Sequence, residues 1–448
     1  MSASAMAKPA LSPTTQASIN WPERILVGLP LLLFFPVGLM YGGVLVFYVL
    51  WLCQPDAQIW RQRWQNLRQH ALLPYIVFMS ASSLLAALWH GKPAQHPEDF
   101  WSGLAHYQIY LFALPMLSLS AGIWQQRARQ SLYLGAYLAA TLFLLNYLQL
   151  LPATTLFRSY VEYKGNKSIL LALLLALAAA WSLREFSARQ ENRIAHIWRG
   201  LGLVYLVCAL CFFSRSRTAL LIFLLMAAYW GVQVLRQRGF LGWRIAVLGL
   251  ALSLATATGI YYLAHLPTPA SCEIRTLQAS PWEITKTRVI CTVHQVRDYS
   301  AGRKVSEDGM RLEIYQHTAS LIAEKPWAGH GIASWLGLYQ QRAAGTSSAS
   351  MSTPHNDYLL YWTELGLPGL LALVAIWWRQ WRMAQQLRRQ AQPALNLQAD
   401  LVAMLTITMV VAASFNALLR DGLFAMAFMI LLAVVASGVN KSAELSRV

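Results

Sequence analysis

Apolar stretches recur along this chain at lengths close to the ~20 residues that a helix needs to cross a bilayer. Backbone amides inside lipid must pair within their own segment or around a closed barrel. The chain lacks the ten-residue alternating pattern of a barrel strand, so the spans are read as helices. Of the 448 residues, 56% are hydrophobic and 12% are charged. Soluble domains carry about 25% charged residues. The fold class is therefore an all-α polytopic membrane protein with about twelve transmembrane helices and one large, partly helical loop.

Clear spans fall near 71–90, 106–123, 131–151, 168–183, 199–213, 218–235, 244–264, 355–378, 399–418 and 422–438. The block 25–53 contains Pro30, Pro36, Gly38, Gly42 and Gly43 near its middle and reads as a tight hairpin of two short helices. This divides the chain into a disordered tail (1–20), nine helices (21–264), a loop domain (265–354), three helices (355–438) and a short tail (439–448). The first apolar block has no clear cleavage site and reads as a retained anchor.

Arginines fix the orientation. Arg61, Arg63 and Arg68; Arg127 and Arg129; Arg184, Arg189, Arg193 and Arg199; Arg236, Arg238 and Arg244; and Arg379, Arg382, Arg388 and Arg389 lie in alternate loops. The positive-inside rule puts these loops and both termini in the cytoplasm. The loops 90–105, 152–167, 214–217 and 265–354 then face outward. A formal charge of +17 would suggest nucleic acid in a soluble protein. Here it orients spans, and no nucleic-acid partner is expected.

The loop 265–354 is too long for a connector. One helical pattern runs through it, with Asp308 as a cap, a stripe of Met310, Ile314, His317 and Leu321, and Pro326 as the stop. Gly329, Gly331, Gly345 and the serines Ser347, Ser348, Ser350 and Ser352 then read as a flexible arm leading to residue 355. Cys53, Cys208 and Cys211 lie in apolar segments, whereas Cys272 and Cys291 lie in this loop. In an oxidising compartment those two form a disulfide; otherwise they are free thiols.

Several outward residues break the expected pattern. Phe213-Ser214-Arg215-Ser216-Arg217-Thr218 places two arginines in an outward turn at a helix N-terminus, where backbone and dipole favour an anion. Guanidinium can hold phosphate oxygens in pairs. The alternative is that both reach for lipid headgroups. Arg311 shares a helix face with Tyr315 and is either an anion ligand or the partner of Glu307. Arg288, in Lys286-Thr287-Arg288, is a weaker candidate, and a solvated side chain explains it as well. Lys164, Asn166 and Lys167 precede another outward-starting helix and either steer an anion or anchor the interface. His355 begins His355-Asn356-Asp357-Tyr358, where the arm meets a span. Imidazole takes a proton near neutral pH, so His355 is a candidate base, with Asn356 or Asp357 orienting it or a sugar hydroxyl. A structural interfacial histidine is the alternative. Glu364 lies two turns into its span and must be buried or paired.

No Asp-x-Asp pair, zinc spacing, P-loop or dinucleotide fingerprint occurs, so no metal or cofactor is expected. Outward cations without carboxylate partners suit a pyrophosphate, and apolar spans suit a lipid tail. The constellation points to a lipid-linked pyrophosphate whose departure arginines assist electrostatically.

The segments "FSRSRTALL" (213–221), "RLEIYQHTASLIAEKPWAGHGIASW" (311–335) and "HNDYLLYWTELGLPGLL" (355–371), with the span pattern, resemble the O-antigen ligase (WaaL) and polymerase (Wzy) superfamily. The resemblance implies a GT-C-like, metal-independent glycosyltransferase in the inner membrane of a Gram-negative bacterium. It implies transfer of glycan from undecaprenyl pyrophosphate to lipid A-core at the periplasmic face, in lipopolysaccharide biosynthesis. It maps the essential histidine to His355, the loop-helix arginine to Arg311 and the Ser-Arg arginine to Arg215 or Arg217. A polymerase would use a second lipid-linked glycan as acceptor and commonly has two large outward loops. A protein O-oligosaccharyltransferase commonly has a further soluble region. From another class, a transporter or flippase would place ionisable groups at mid-membrane, where this chain has only Glu364.

Overall fold

A computed structural model describes residues 19–162, 165–187, 192–214, 216–240, 242–267, 281–300, 307–390 and 392–439. The expected tails at 1–20 and 439–448 fall outside these residues except for Ile19, Asn20 and Val439. The described residues are helical, without strands. The chain runs through α1 (Trp21–Leu32), α2 (Val37–Leu52), α3 (Ala57–Gln69), α4 (Leu73–His90), α5 (Phe100–Tyr107), α6 (Ile109–Leu117), α7 (Ile123–Tyr147), α8 (Arg158–Val161) and α9 (Asn166–Phe186). It continues through α10 (Arg193–Cys208), which runs into a π-helical turn (Ala209–Phe213), then α11 (Arg217–Gln237) and α12 (Gly242–His265). The loop carries α13 (Pro281–Ser300), α14 (Glu307–Glu324) and α15 (Trp335–Arg342), and the chain closes with α16 (Asp357–Arg389), α17 (Pro393–Phe415) and α18 (Gly422–Ala436).

Seven described helices are long and apolar enough to cross a membrane, or eight if the bent pair α2 and α3 counts as one span; α18 is a shorter apolar helix. Block 25–53 folds as α1 packed on α2, separated at Pro36. Asn20 and Glu23 cap α1 reciprocally. The stretch 106–123 is not one helix: it breaks at Gln108 between α5 and α6, where the Gln108 amide donates to Ser83 at 2.6 Å. α3 turns 116° from α2, and its Arg63 lies over the rings of Trp51 and Trp60 while donating to the Trp51 carbonyl at 2.7 Å.

α9 is the central helix. Leu170 through Trp181 are all buried, and its alanines let α7, α10, α11 and α17 pack closely. The two sets of loops lie at opposite ends of the bundle. At one end Ala71 donates to Val439, and Gln125 and Gln398 donate to Ser437 and Val435. At the other, Asn356 donates to Ser414 and Arg420 to Ser352. Some arginines expected only to orient spans are internal ties instead. Arg184 and Arg388 both bind buried Asp400; Arg388 also donates to Tyr229 at 2.6 Å, and Arg379 donates to the Ala71 carbonyl at 3.2 Å. A carboxylate taken out of water must be paired, and Asp400 meets that need with two guanidinium groups.

The loop is more helical than its sequence pattern predicts, with α13 and α15 flanking the expected α14. Its serine-rich arm is held in place. Ser348 is fully buried, donates to Glu313 at 2.6 Å and accepts from the Tyr339 hydroxyl at 2.7 Å. Trp335 stacks on Tyr339, centroids 4.6 Å apart, and donates to Thr318 at 3.0 Å.

The segment 326–335 locks this loop to α16. Gly366 has φ 69° and ψ −166°, which breaks α16 into a short first part (357–365) and a long second part. A break strands backbone groups that membrane cannot solvate. The loop pairs them: His330 and Gly331 amides donate to the Thr363 and Glu364 carbonyls at 2.8 and 2.9 Å, and the Leu367 amide donates to Pro326 at 3.0 Å. Buried Glu364 accepts from the Tyr107 hydroxyl at 2.7 Å and from the Ala333 and Trp335 amides at 2.9 and 3.2 Å. A Cβ at Gly366 would lie 2.2 Å from the Trp327 carbonyl oxygen, and the positive φ disfavours any side chain.

Gly366→Ala is expected to lower the thermal stability of the detergent-solubilised protein by about 2–4 kcal/mol. An unchanged melting temperature would show that the clasp is not needed for stability. Glu364→Gln keeps the size but turns one acceptor into a donor facing N–H groups. It is expected to raise hydrogen exchange at 330–335 by on the order of tenfold or more while leaving α9 protected.

Candidate functional site

His355 closes the arm one residue before the Asn356 cap of α16. The Asn356 side chain accepts from the Leu359 amide at 3.0 Å and donates to the Ser414 carbonyl at 3.1 Å, which ties α16 to the end of α17. The Asp357 carboxylate accepts from the Leu419 amide at 3.0 Å. Tyr315 on α14 brings its hydroxyl to 3.2 Å from the Ser414 carbonyl and 3.4 Å from that of His355. These contacts hold His355 at φ 50°, a left-handed conformation that costs a residue with a Cβ energy. Strain of this kind survives where surrounding contacts over-determine the backbone, and such positions cluster at functional sites.

The imidazole is mostly buried. Burial first, then the charges of Arg311 and Arg420, push its pKa down to about 4. It is therefore neutral at physiological pH, with a lone pair available for a proton. An anion bound among these arginines would raise that pKa, because it cancels the cations and favours imidazolium.

The predicted residues separate into groups. Arg311 and Tyr315, both on α14, stand with His355 and Asn356 at one rim. Arg217 is the first residue of α11, after the Ser216 cap, and donates to Thr292 on α13, so its described contact is with the loop. Lys167 donates to the Leu33 carbonyl at the end of α1, and Asn166 donates to Asp421. That makes Lys167 a tie between helix ends, where a cation suits the negative dipole end. Arg215, Lys164 and Cys272 lie outside the described residues, and Arg288 falls on α13 with its side chain outside them. Cys291 is disulfide-bonded, whereas Cys53, Cys208 and Cys211 are in no disulfide.

Sequence reasoning missed Arg420. It lies in the turn between α17 and α18, donates to the Ser352 carbonyl at 2.6 Å, and acts electrostatically on His355, Asp357, Glu364 and His106. The signal was available: like Arg215 and Arg217, it is an arginine in a short turn between apolar helices, on the side where the positive-inside rule expects few cations. Arg420 also edges a cleft lined by Asp99, Ser102, His106, Tyr361 and Glu364. Near its mouth His96, Glu98 and Asp99 place one ligand atom each within 4.8 Å of one another, and His96 pairs with Glu98 at 3.2 Å. Glu98 and Asp99, which lack metal spacing in sequence, are thus close in space to one histidine, but exposed acidic groups at this distance do not by themselves make a metal centre.

His355→Asn keeps a residue tolerant of positive φ. It is expected to leave the melting temperature unchanged or higher while abolishing activity, and a large fall in stability would make His355 structural. Histidine-selective NMR is expected to place the ring titration well below 6.5. Replacing Arg311 by Gln removes a nearby cation and should shift that titration upward; a downward shift would contradict the geometry.

No curated protein matches the chain. Residues 201–374, from α10 through the break of α16, match the family model described as O-Antigen ligase. That stretch contains Arg215, Arg217, Arg311, the 326–335 clasp and His355. The match covers less than half of the chain; over that stretch the chain is similar to the O-antigen ligase family, and its apolar helices are those of a multi-pass membrane protein.

Proposed function

We propose that this protein is an O-antigen ligase, an inverting glycosyltransferase that moves O-antigen polysaccharide from undecaprenyl pyrophosphate to lipid A-core at the periplasmic face of the inner membrane, with both termini cytoplasmic. The observation that carries this reading is a strained, neutral His355 set among Arg311 and Arg420 at the outer rim of a helical bundle. Arg311, with Arg215 or Arg217, holds the pyrophosphate. An acceptor hydroxyl gives its proton to the imidazole as its oxygen attacks the anomeric carbon in line. The bond from that carbon to the pyrophosphate oxygen breaks, and undecaprenyl pyrophosphate leaves with the bonding electrons. Guanidinium groups at the rim neutralise the charge that develops on the leaving group. The imidazolium then returns its proton to solvent.

A polymerase reading shares this chemistry and differs in acceptor. A deletion strain separates the two: loss of the O-antigen ladder with accumulated polymerised lipid-linked glycan marks a ligase, whereas core bearing one repeat marks a polymerase. In a purified assay, Arg311→Lys keeps charge but loses the paired geometry. It is expected to reduce kcat/KM by about 10–100-fold. Wild-type rates in Arg311→Lys and His355→Ala together would sink the mechanism.

A further inference from the structure

The cleft beside Arg420 has chemistry different from a pyrophosphate site. Asp99 lines it from the N-cap of α5, Ser102 from the first turn and His106 from the last, and Leu360 and Tyr361 line it from the first part of α16. One carboxylate, one hydroxyl and one imidazole around an apolar and aromatic wall suit a sugar ring, with hydroxyls for the polar groups and C–H faces for the wall. Ser102 donates to the Asp99 carbonyl at 2.9 Å, which leaves its lone pairs to accept from a ligand. The Asp99 carboxylate accepts hydroxyl protons and repels a multiply charged anion. Glu364, on the cleft floor, has both oxygens occupied by Tyr107, Ala333 and Trp335.

Position matters as much as composition. Arg420 edges the cleft and also acts on His355, while Arg311 acts on His355 from α14. Arg420 reaches from the cleft to the Ser352 carbonyl, three residues before His355, and the amide of Leu360 in the cleft wall donates to Asn356, the residue after His355. In-line displacement needs the acceptor hydroxyl opposite the leaving group and next to the base.

We propose that the cleft formed by Asp99, Ser102 and His106 at α5 and its N-cap with Leu360 and Tyr361 of α16 binds the terminal sugar of the acceptor glycan and delivers its hydroxyl to His355. The proposal rests on the glycosyl-transfer reading above. The sugar could come from lipid A-core or from a second lipid-linked repeat.

The test uses full-length protein in lipid nanodiscs with three probes: O-antigen-free lipopolysaccharide, undecaprenyl-pyrophosphate-linked repeat and undecaprenyl pyrophosphate alone. Ser102→Leu fills the cleft from an exposed helix face, and Asp99→Asn removes the charge at constant size. Each is expected to weaken binding of one glycan probe by about tenfold, with undecaprenyl pyrophosphate affinity unchanged. The glycan probe that loses affinity identifies the acceptor's source. Glycan affinity unchanged in both variants, or an equal loss for undecaprenyl pyrophosphate, overturns the proposal. Wild-type protein that binds glycan and pyrophosphate lipid yet transfers nothing overturns the catalytic reading instead, and the two failures are told apart by this binding comparison.

Discussion

The arrangement of the end that carries His355 depends on a helix that is broken inside the bundle and repaired by a loop. An intact α16 would satisfy its own backbone and leave the loop free to move. With Gly366 out of helical conformation, the carbonyls of Thr363 and Glu364 and the amide of Leu367 need partners, and 326–335 supplies them. The cost of leaving such groups bare in lipid is several kcal/mol each. The same pairing ties α14, which carries Arg311, to the start of α16, which His355 precedes by two residues. The Pro-x-x-Gly-x-Gly sequence is thus explained by backbone approach: Gly329 comes so near Gly366 that a Cβ would lie 2.5 Å from its amide nitrogen.

Electrostatics at the rim follow from this framework. The His355 imidazole is mostly buried and feels two guanidinium groups, so it gives up its proton readily. A neutral histidine beside cations is poised for a polyanionic ligand, whose arrival both neutralises the arginines and strengthens the base. Binding and proton acceptance are in this way coupled through charge alone.

Much of the architecture was readable because hydropathy and arginine placement are local properties of the chain. The division at Pro36, the helix carrying Arg311 and the place of His355 where the loop meets α16 came from patterns within a few residues. What was not readable depended on partners distant in sequence. Asp400 looks like an ordinary charge near a helix start until Arg184 and Arg388 meet it. The serine-rich arm reads as flexible because serine disfavours regular structure, yet a hydroxyl buried between Glu313 and Tyr339 orders it. α13 was missed because its apolar residues show no clear stripe. Arg420 was overlooked for a different reason: the turn that holds it is so short that two spans seemed to meet without a loop.

The clasp also determines what can be inherited separately. Residues 326–335 have no complete set of hydrogen bonds until 357–367 has been synthesised, and the broken helix cannot settle in lipid before the loop returns to it. Neither piece is a portable module. A relative that changes its specificity by exchanging the outward loop must exchange it together with the head of the following helix, so the natural unit of recombination in this fold spans the boundary between loop and membrane instead of ending there.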